Sequence, residues 1–67
     1  MPEEQREAIM QYFGYDHLPE TLQEISRPFA KLADMVVLCL PRNPERTVAL
    51  RKLLEAKDAA VRAALTV

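Results

Sequence analysis

The feature that most constrains the fold is a short segment, residues 38–46, which contains both a helix stop and a helix start. Pro41 ends the helix before it, because proline has no N–H to donate and its ring clashes with the preceding turn. Asn43 is a favourable N-cap residue, and Pro44 suits the first position of the next helix. Two helices joined by so few residues lie antiparallel. The segment therefore predicts a helical hairpin.

The two helices of this hairpin are predicted over residues 19–40 and from residue 44 to about residue 65. Apolar residues at alternating three- and four-residue spacing predict the buried stripe of the first helix. The members of that stripe are Leu22, Ile25, Phe29, Leu32, Val36 and Cys39. The corresponding stripe of the second helix is Leu50, Leu53, Leu54, Val61 and Ala64. Pro28 lies inside the first helix and predicts a kink there.

The N-terminal residues predict a third, shorter helix over residues 2–13, which must dock on the hairpin through Ile9, Tyr12 or Phe13 to persist. Gly14 is placed where a left-handed C-terminal cap would need a glycine. Asp16 is a candidate cap for the helix that follows. The prediction is one all-α domain over residues 1–67, a short N-terminal helix followed by an antiparallel two-helix hairpin.

The size of the chain predicts self-association. A chain of 67 residues buries only roughly 60% of the surface exposed in its unfolded state, so its stability alone is marginal. One cysteine, Cys39, excludes an internal disulfide, and one histidine, His17, leaves too few ligands for a closed zinc site. Residues 35–40 are apolar on every side of the first helix, whereas a hairpin covers one side. We expect a compact homo-oligomer.

The charge pattern disfavours long nucleic acid as a partner. The net charge is −1, but residues 31–67 hold seven basic and four acidic side chains and could bind a small anion. No signal-peptide pattern is visible, and the longest apolar run is far shorter than the roughly 20 residues that span a bilayer. We therefore expect a cytoplasmic protein with no membrane partner.

The sequence has few residues suited to catalysis. It contains no Ser/His/Asp set, glycine-rich phosphate loop or metal-ligand cluster, so we predict neither an enzyme nor a cofactor. It does contain three aromatic residues close together, Tyr12, Phe13 and Tyr15. A ring that stacks on a base and a cation that meets a phosphate can together hold a nucleotide. For Phe13 we favour packing against the hairpin, and for Tyr15 both packing and binding remain open.

Three segments, residues 13–19, 29–33 and 40–60, resemble a family of phage hairpin-domain proteins. This family contains the anti-CBASS cyclic-nucleotide sponges and the hairpin part of the Thoeris anti-defence sponges. The most specific part of the resemblance is the run RTVALRKLLEAKDAA at residues 46–60. Members of the family are small helical hairpins that assemble into hexamers and bind cyclic dinucleotides without hydrolysing them. Some members also bind cyclic trinucleotides at separate sites.

The resemblance implies a non-enzymatic sponge in the cytoplasm of an infected bacterial cell, which keeps CBASS-type effectors inactive by sequestering their messenger. For a cyclic dinucleotide it implies that Tyr15 stacks on a base and that Lys31 meets a phosphate, with Arg27 as the alternative cation. For a cyclic trinucleotide it implies donors from the second helix. These are Arg46, Thr47, Arg51 and Lys52.

Two other functions also fit the residues. The first is a structural or regulatory helical-hairpin oligomer without a small-molecule ligand, which would explain the apolar helix end equally well. The second is weak nucleic-acid binding through the basic second helix, which would depend steeply on salt.

Overall fold

The computed structural model describes residues 8–66, and the secondary structure in this range is helical. A 3₁₀ helix at Ala8–Phe13 is followed by α-helix α1 at Glu20–Cys39 and α-helix α2 at Pro44–Leu65. Helices α1 and α2 pack along each other, and the 3₁₀ helix contacts both of them. The predicted all-α hairpin with a short N-terminal helix is thus confirmed for these residues.

The turn between α1 and α2 confirms the predicted helix start. The side chain of Asn43 accepts a hydrogen bond from the backbone N–H of Arg46 at 2.9 Å, and Pro44 is the first residue of α2. This bond gives a partner to one of the N–H groups that the first turn of a helix leaves unpaired. The observed ends of both long helices lie within one residue of the predicted ends.

The N-terminal helix differs from the prediction in type and in its cap. It is a 3₁₀ helix over residues 8–13, and residues 2–7 of the predicted helix lie outside the described part of the chain. Gly14 is not a left-handed cap, because its φ is not positive. The N–H of Gly14 instead donates to the carbonyl of Gln11 at 3.4 Å. This three-residue spacing belongs to a 3₁₀ turn and needs no left-handed residue.

The core lies where the 3₁₀ helix meets the hairpin. Met10 and Phe13 are buried against Ala33 and Leu50, which confirms packing as the role of Phe13. The predicted stripe of α1 is confirmed only in part: Phe29 and Val36 pack against the core, but Leu32 is 44% exposed and Cys39 is also exposed. The stripe that faces α2 includes smaller side chains. Its members include Ser26, Phe29, Ala30, Ala33, Val36 and Val37.

Small side chains explain why the observed stripe includes Ala30 and Ala33 and not Leu32. They allow the backbones of two helices to approach closely where larger residues would not. In α2, Leu50 is fully buried and Leu53 and Leu54 pack against the core, as predicted. Ala64, which was predicted to be internal, is exposed.

The end of the hairpin near the turn carries exposed apolar side chains. Leu38 is 81% exposed, and its apolar neighbours on this end are exposed as well. We call this surface the apolar tip; it consists of Met35, Leu38, Cys39, Leu40 and Val48. Within the described residues, neither long helix is apolar enough over a sufficient length to cross a lipid bilayer.

Candidate functional site

The connector between the 3₁₀ helix and α1 is held in place by α1 itself. The side-chain amide of Gln23 donates to the carbonyl of Leu18 at 2.8 Å and to that of Asp16 at 3.4 Å. The N–H of Leu18 donates in turn to the carbonyl of Tyr15 at 3.0 Å. Asp16 therefore contributes its backbone and is not the side-chain cap we predicted; the residue at the N-cap of α1 is Pro19. These bonds fix the position of Tyr15.

The ring of Tyr15 lies beside the guanidinium of Arg27. The Cζ atom of Arg27 is 5.6 Å from the ring centroid, within the range of a cation–π interaction. Both residues are half-buried. A flat guanidinium and a flat ring are thus paired next to the connector, with the second face of the ring turned away from Arg27.

Lys31 follows Arg27 by four residues on α1 and is exposed. Residues four apart on an α-helix lie on the same face, so Lys31 extends the charge of Arg27 along the helix. Among residues 8–66 neither cation forms an ion pair. We call Tyr15, Arg27 and Lys31 the Tyr15 cluster. The structure therefore pairs Tyr15 with Arg27 and places Lys31 one turn further along the same face of α1.

Sequence analysis missed Gln23, which positions Tyr15 without belonging to the cluster. Gln23, Arg27 and Lys31 lie at four-residue intervals, so a single face of α1 holds the connector, stacks on its ring and presents an exposed cation. This spacing could have been read from the sequence, but the fold of the connector could not.

The four residues predicted for a cyclic trinucleotide do not form a common surface. The guanidinium of Arg46 points back to α1, where its Nη1 donates to the carbonyls of Leu40 and Val37 at 2.9 and 3.0 Å. Arg46 is only 6% exposed. It joins the end of α1 to the start of α2, and its side chain is committed to the hairpin turn.

The other three residues of that set are exposed on α2. Thr47 donates from its hydroxyl to the carbonyl of Asn43 at 3.5 Å, and Lys52 pairs with Glu55 at 3.7 Å. Arg51 follows Thr47 by four residues and so shares its helix face. This face is basic and open, but a single chain provides no concave surface there.

No protein family, curated protein or solved structure was found to match this chain. The part of the chain that the structure describes contains no group of three or more His, Cys, Asp or Glu side chains able to hold a metal ion. A function is therefore proposed from the positions of the side chains described above.

Proposed function

We propose that this protein is a non-enzymatic sponge for cyclic oligonucleotide messengers, a member of the phage hairpin-domain family that it resembles. The observation that carries the proposal is the Tyr15 cluster, in which an aromatic ring of the connector lies against the guanidinium of Arg27 and an exposed ammonium follows one turn later on α1. Stacking on rings and charge-assisted bonds to phosphate are the two interactions that hold nucleotides most often.

In this proposal the face of Tyr15 turned away from Arg27 stacks on a base. Arg27 keeps the ring in place from the other side, and Lys31 meets a phosphate of the cyclic backbone. A cyclic dinucleotide has two bases and two phosphates, so one cluster would hold half of it. A second copy of the chain would supply the other half, which makes binding depend on self-association.

Self-association is itself part of the proposal, and the apolar tip supports it. Exposed apolar side chains near the turn would lose contact with water when hairpins pack together. The resemblance implies a homohexamer. Sequestration requires many tight sites and no turnover, because each bound messenger is removed from the effector by mass action. We place this activity in the cytoplasm of an infected bacterial cell, where it blocks CBASS-type effectors.

A cyclic trinucleotide site is proposed on α2 from Thr47, Arg51 and Lys52, which are exposed. The buried position of Arg46 and its two bonds to α1 weigh against direct contact between this residue and a ligand. Copies of α2 brought together by assembly would supply the concave surface that one chain lacks.

The experiment is a calorimetric titration of the protein with 3′,3′-cyclic GMP–AMP, followed by a panel of other cyclic dinucleotides and trinucleotides. Wild type should bind at least one of them tightly. Tyr15→Ala should weaken the binding of cyclic dinucleotides about tenfold to a hundredfold, since stacking on one base contributes about 1–3 kcal/mol. Tyr15→Phe retains the ring and should bind nearly as well as wild type.

The proposed contact between Lys31 and a phosphate is tested by Lys31→Gln, with Arg42→Gln at the hairpin turn as the matched control. Both substitutions remove one positive charge, so a difference between them reports a local contact and not the net charge of the protein.

An unchanged affinity in Tyr15→Ala would exclude Tyr15 from the site. If wild type binds no cyclic oligonucleotide, the alternative of a structural or regulatory hairpin oligomer is preferred.

A further inference from the structure

A further candidate site also borders the connector. A groove of about 450 Å³ opens between the 3₁₀ helix, the connector, α1 and α2, and it shares no residue with the Tyr15 cluster. Its volume falls in the range of about 300–1,000 Å³ typical of small-molecule sites. The residues used below are Tyr12, Ser26, Leu54, Lys57, Asp58, Val61 and Arg62, all of which line the groove.

The groove contains a buried hydroxyl without a partner. Ser26 is 1% exposed, and its Oγ makes no hydrogen bond in the described structure. Burying a polar group without a partner is unfavourable, and most such groups in proteins are paired. The Oγ atom has less than 1 Å² of accessible surface, so the Ser26 side chain would have to rotate toward the groove for an acceptor atom of a ligand to give this hydroxyl a partner. This observation points to a ligand independently of the shape of the groove.

The charges of the groove favour an anion. Lys57 is only 13% exposed and its ammonium lies 3.3 Å from the carboxylate of Asp58, so these two charges compensate each other. Arg62 also lines the groove and forms no ion pair among residues 8–66. A guanidinium presents two parallel N–H groups that match a carboxylate or a phosphate.

The rest of the lining is partly apolar, and its polar members are Gln11 and His17. Leu54 and Val61 belong to α2 and line one side, and the exposed ring of Tyr12 stands at the edge. Apolar side chains accept a flat apolar body, and an aromatic ring at the rim can stack on it. We infer that this groove binds a small molecule with a flat aromatic body and one anionic group, a carboxylate or a phosphate monoester.

The test is calorimetry with four probes: AMP, indole-3-carboxylate, adenosine and inorganic phosphate. AMP or indole-3-carboxylate should bind, and comparison of the two identifies which anionic group is preferred. Adenosine and inorganic phosphate each lack one half of the ligand and should bind at least about tenfold more weakly. If neither AMP nor indole-3-carboxylate binds, the inference is wrong. It is also wrong if adenosine and inorganic phosphate each bind as tightly as AMP.

Two variants test the assigned contacts. Arg62→Gln should weaken the binding of the preferred probe about tenfold, whereas Arg42→Gln, which removes the same charge far from the groove, should not. Ser26→Ala should raise the melting temperature of the ligand-free protein, because it removes a buried hydroxyl that has no partner there. It should also lower the affinity for the preferred probe, because the ligand loses the hydrogen bond to that hydroxyl. A lower melting temperature, or an unchanged affinity in both variants, would contradict the assignment.

The groove and the Tyr15 cluster can be separated experimentally. A saturating cyclic dinucleotide should not displace the preferred probe, since the two sites share no residue. If wild type binds no cyclic oligonucleotide, the result for the groove is unaffected. Full competition between the two ligands would overturn the inference of a separate site.

Discussion

At the scale of single residues, Arg46 contributes most visibly to the hairpin. The last carbonyls of an α-helix have no partner within the helix, and the guanidinium of Arg46 supplies one for two of them. Its charge is also favourable at that position, because the carbonyl end of a helix carries partial negative charge. A residue three positions after the N-cap of α2 thereby caps α1.

Replacement of Arg46 by methionine should lower the free energy of unfolding by about 2 kcal/mol, because two partly buried carbonyls lose a charged donor. Urea denaturation at a fixed protein concentration measures this change. Arg51→Met is the matched control, since Arg51 is exposed on the same helix, and it should change the ligand-free protein by less than about 0.5 kcal/mol. Equal effects of both substitutions would mean that the bonds to α1 contribute nothing.

The role of Arg46 could not be predicted from its neighbours in the sequence. The family resemblance implied that it would contact a ligand, as one of the donors from the second helix. Its true partners, the carbonyls of Val37 and Leu40, come within reach only after the chain has reversed direction.

Tyr15, by contrast, was singled out from the sequence as a ligand-binding candidate. It was identified together with Arg27 and Lys31, yet the position of its ring depends on Gln23, which we did not predict.

At the scale of secondary structure elements, the ends of the long helices were predictable and the contact between them was not. Helix ends depend on local chemistry, such as the ring of Pro41 and the side chain of Asn43. The contact depends on which of two stripes of α1 lets α2 approach. Periodicity indicated the larger apolar residues, whereas the fold uses a stripe that includes Ala30 and Ala33 and leaves Leu32 exposed.

The cap of α2 gives the prediction at this scale. Asn43→Ala should reduce the free energy of unfolding by about 1 kcal/mol, because the N–H of Arg46 loses its acceptor. Asn43→Asp keeps an oxygen at the same place and should differ from wild type by only a few tenths of a kcal/mol. Urea denaturation compares the two variants at one protein concentration. A loss of equal size in both would show that the oxygen is not what stabilises the helix start.

At the scale of the whole molecule, the hairpin leaves apolar surface at the end near the turn, whereas the Tyr15 cluster and the groove both border the connector that precedes α1. The core of one chain is small: among residues 8–66 its buried apolar members are Met10, Phe13, Ala33 and Leu50. A core of this size stabilises a chain only marginally. The apolar tip adds exposed surface that a single chain cannot cover. Both facts favour association of several copies, and the proposed dinucleotide site requires it.

Sedimentation velocity of the wild-type protein at micromolar concentration, with the thiol of Cys39 kept reduced, tests this claim most directly. We predict a folded oligomer with a mass several times that of the 7.7 kDa chain. Leu38→Glu, which places a charge at the centre of the apolar tip, should shift the protein toward single chains. A wild-type protein that sediments as a well-folded single chain would contradict self-association, and with it the proposed site between copies.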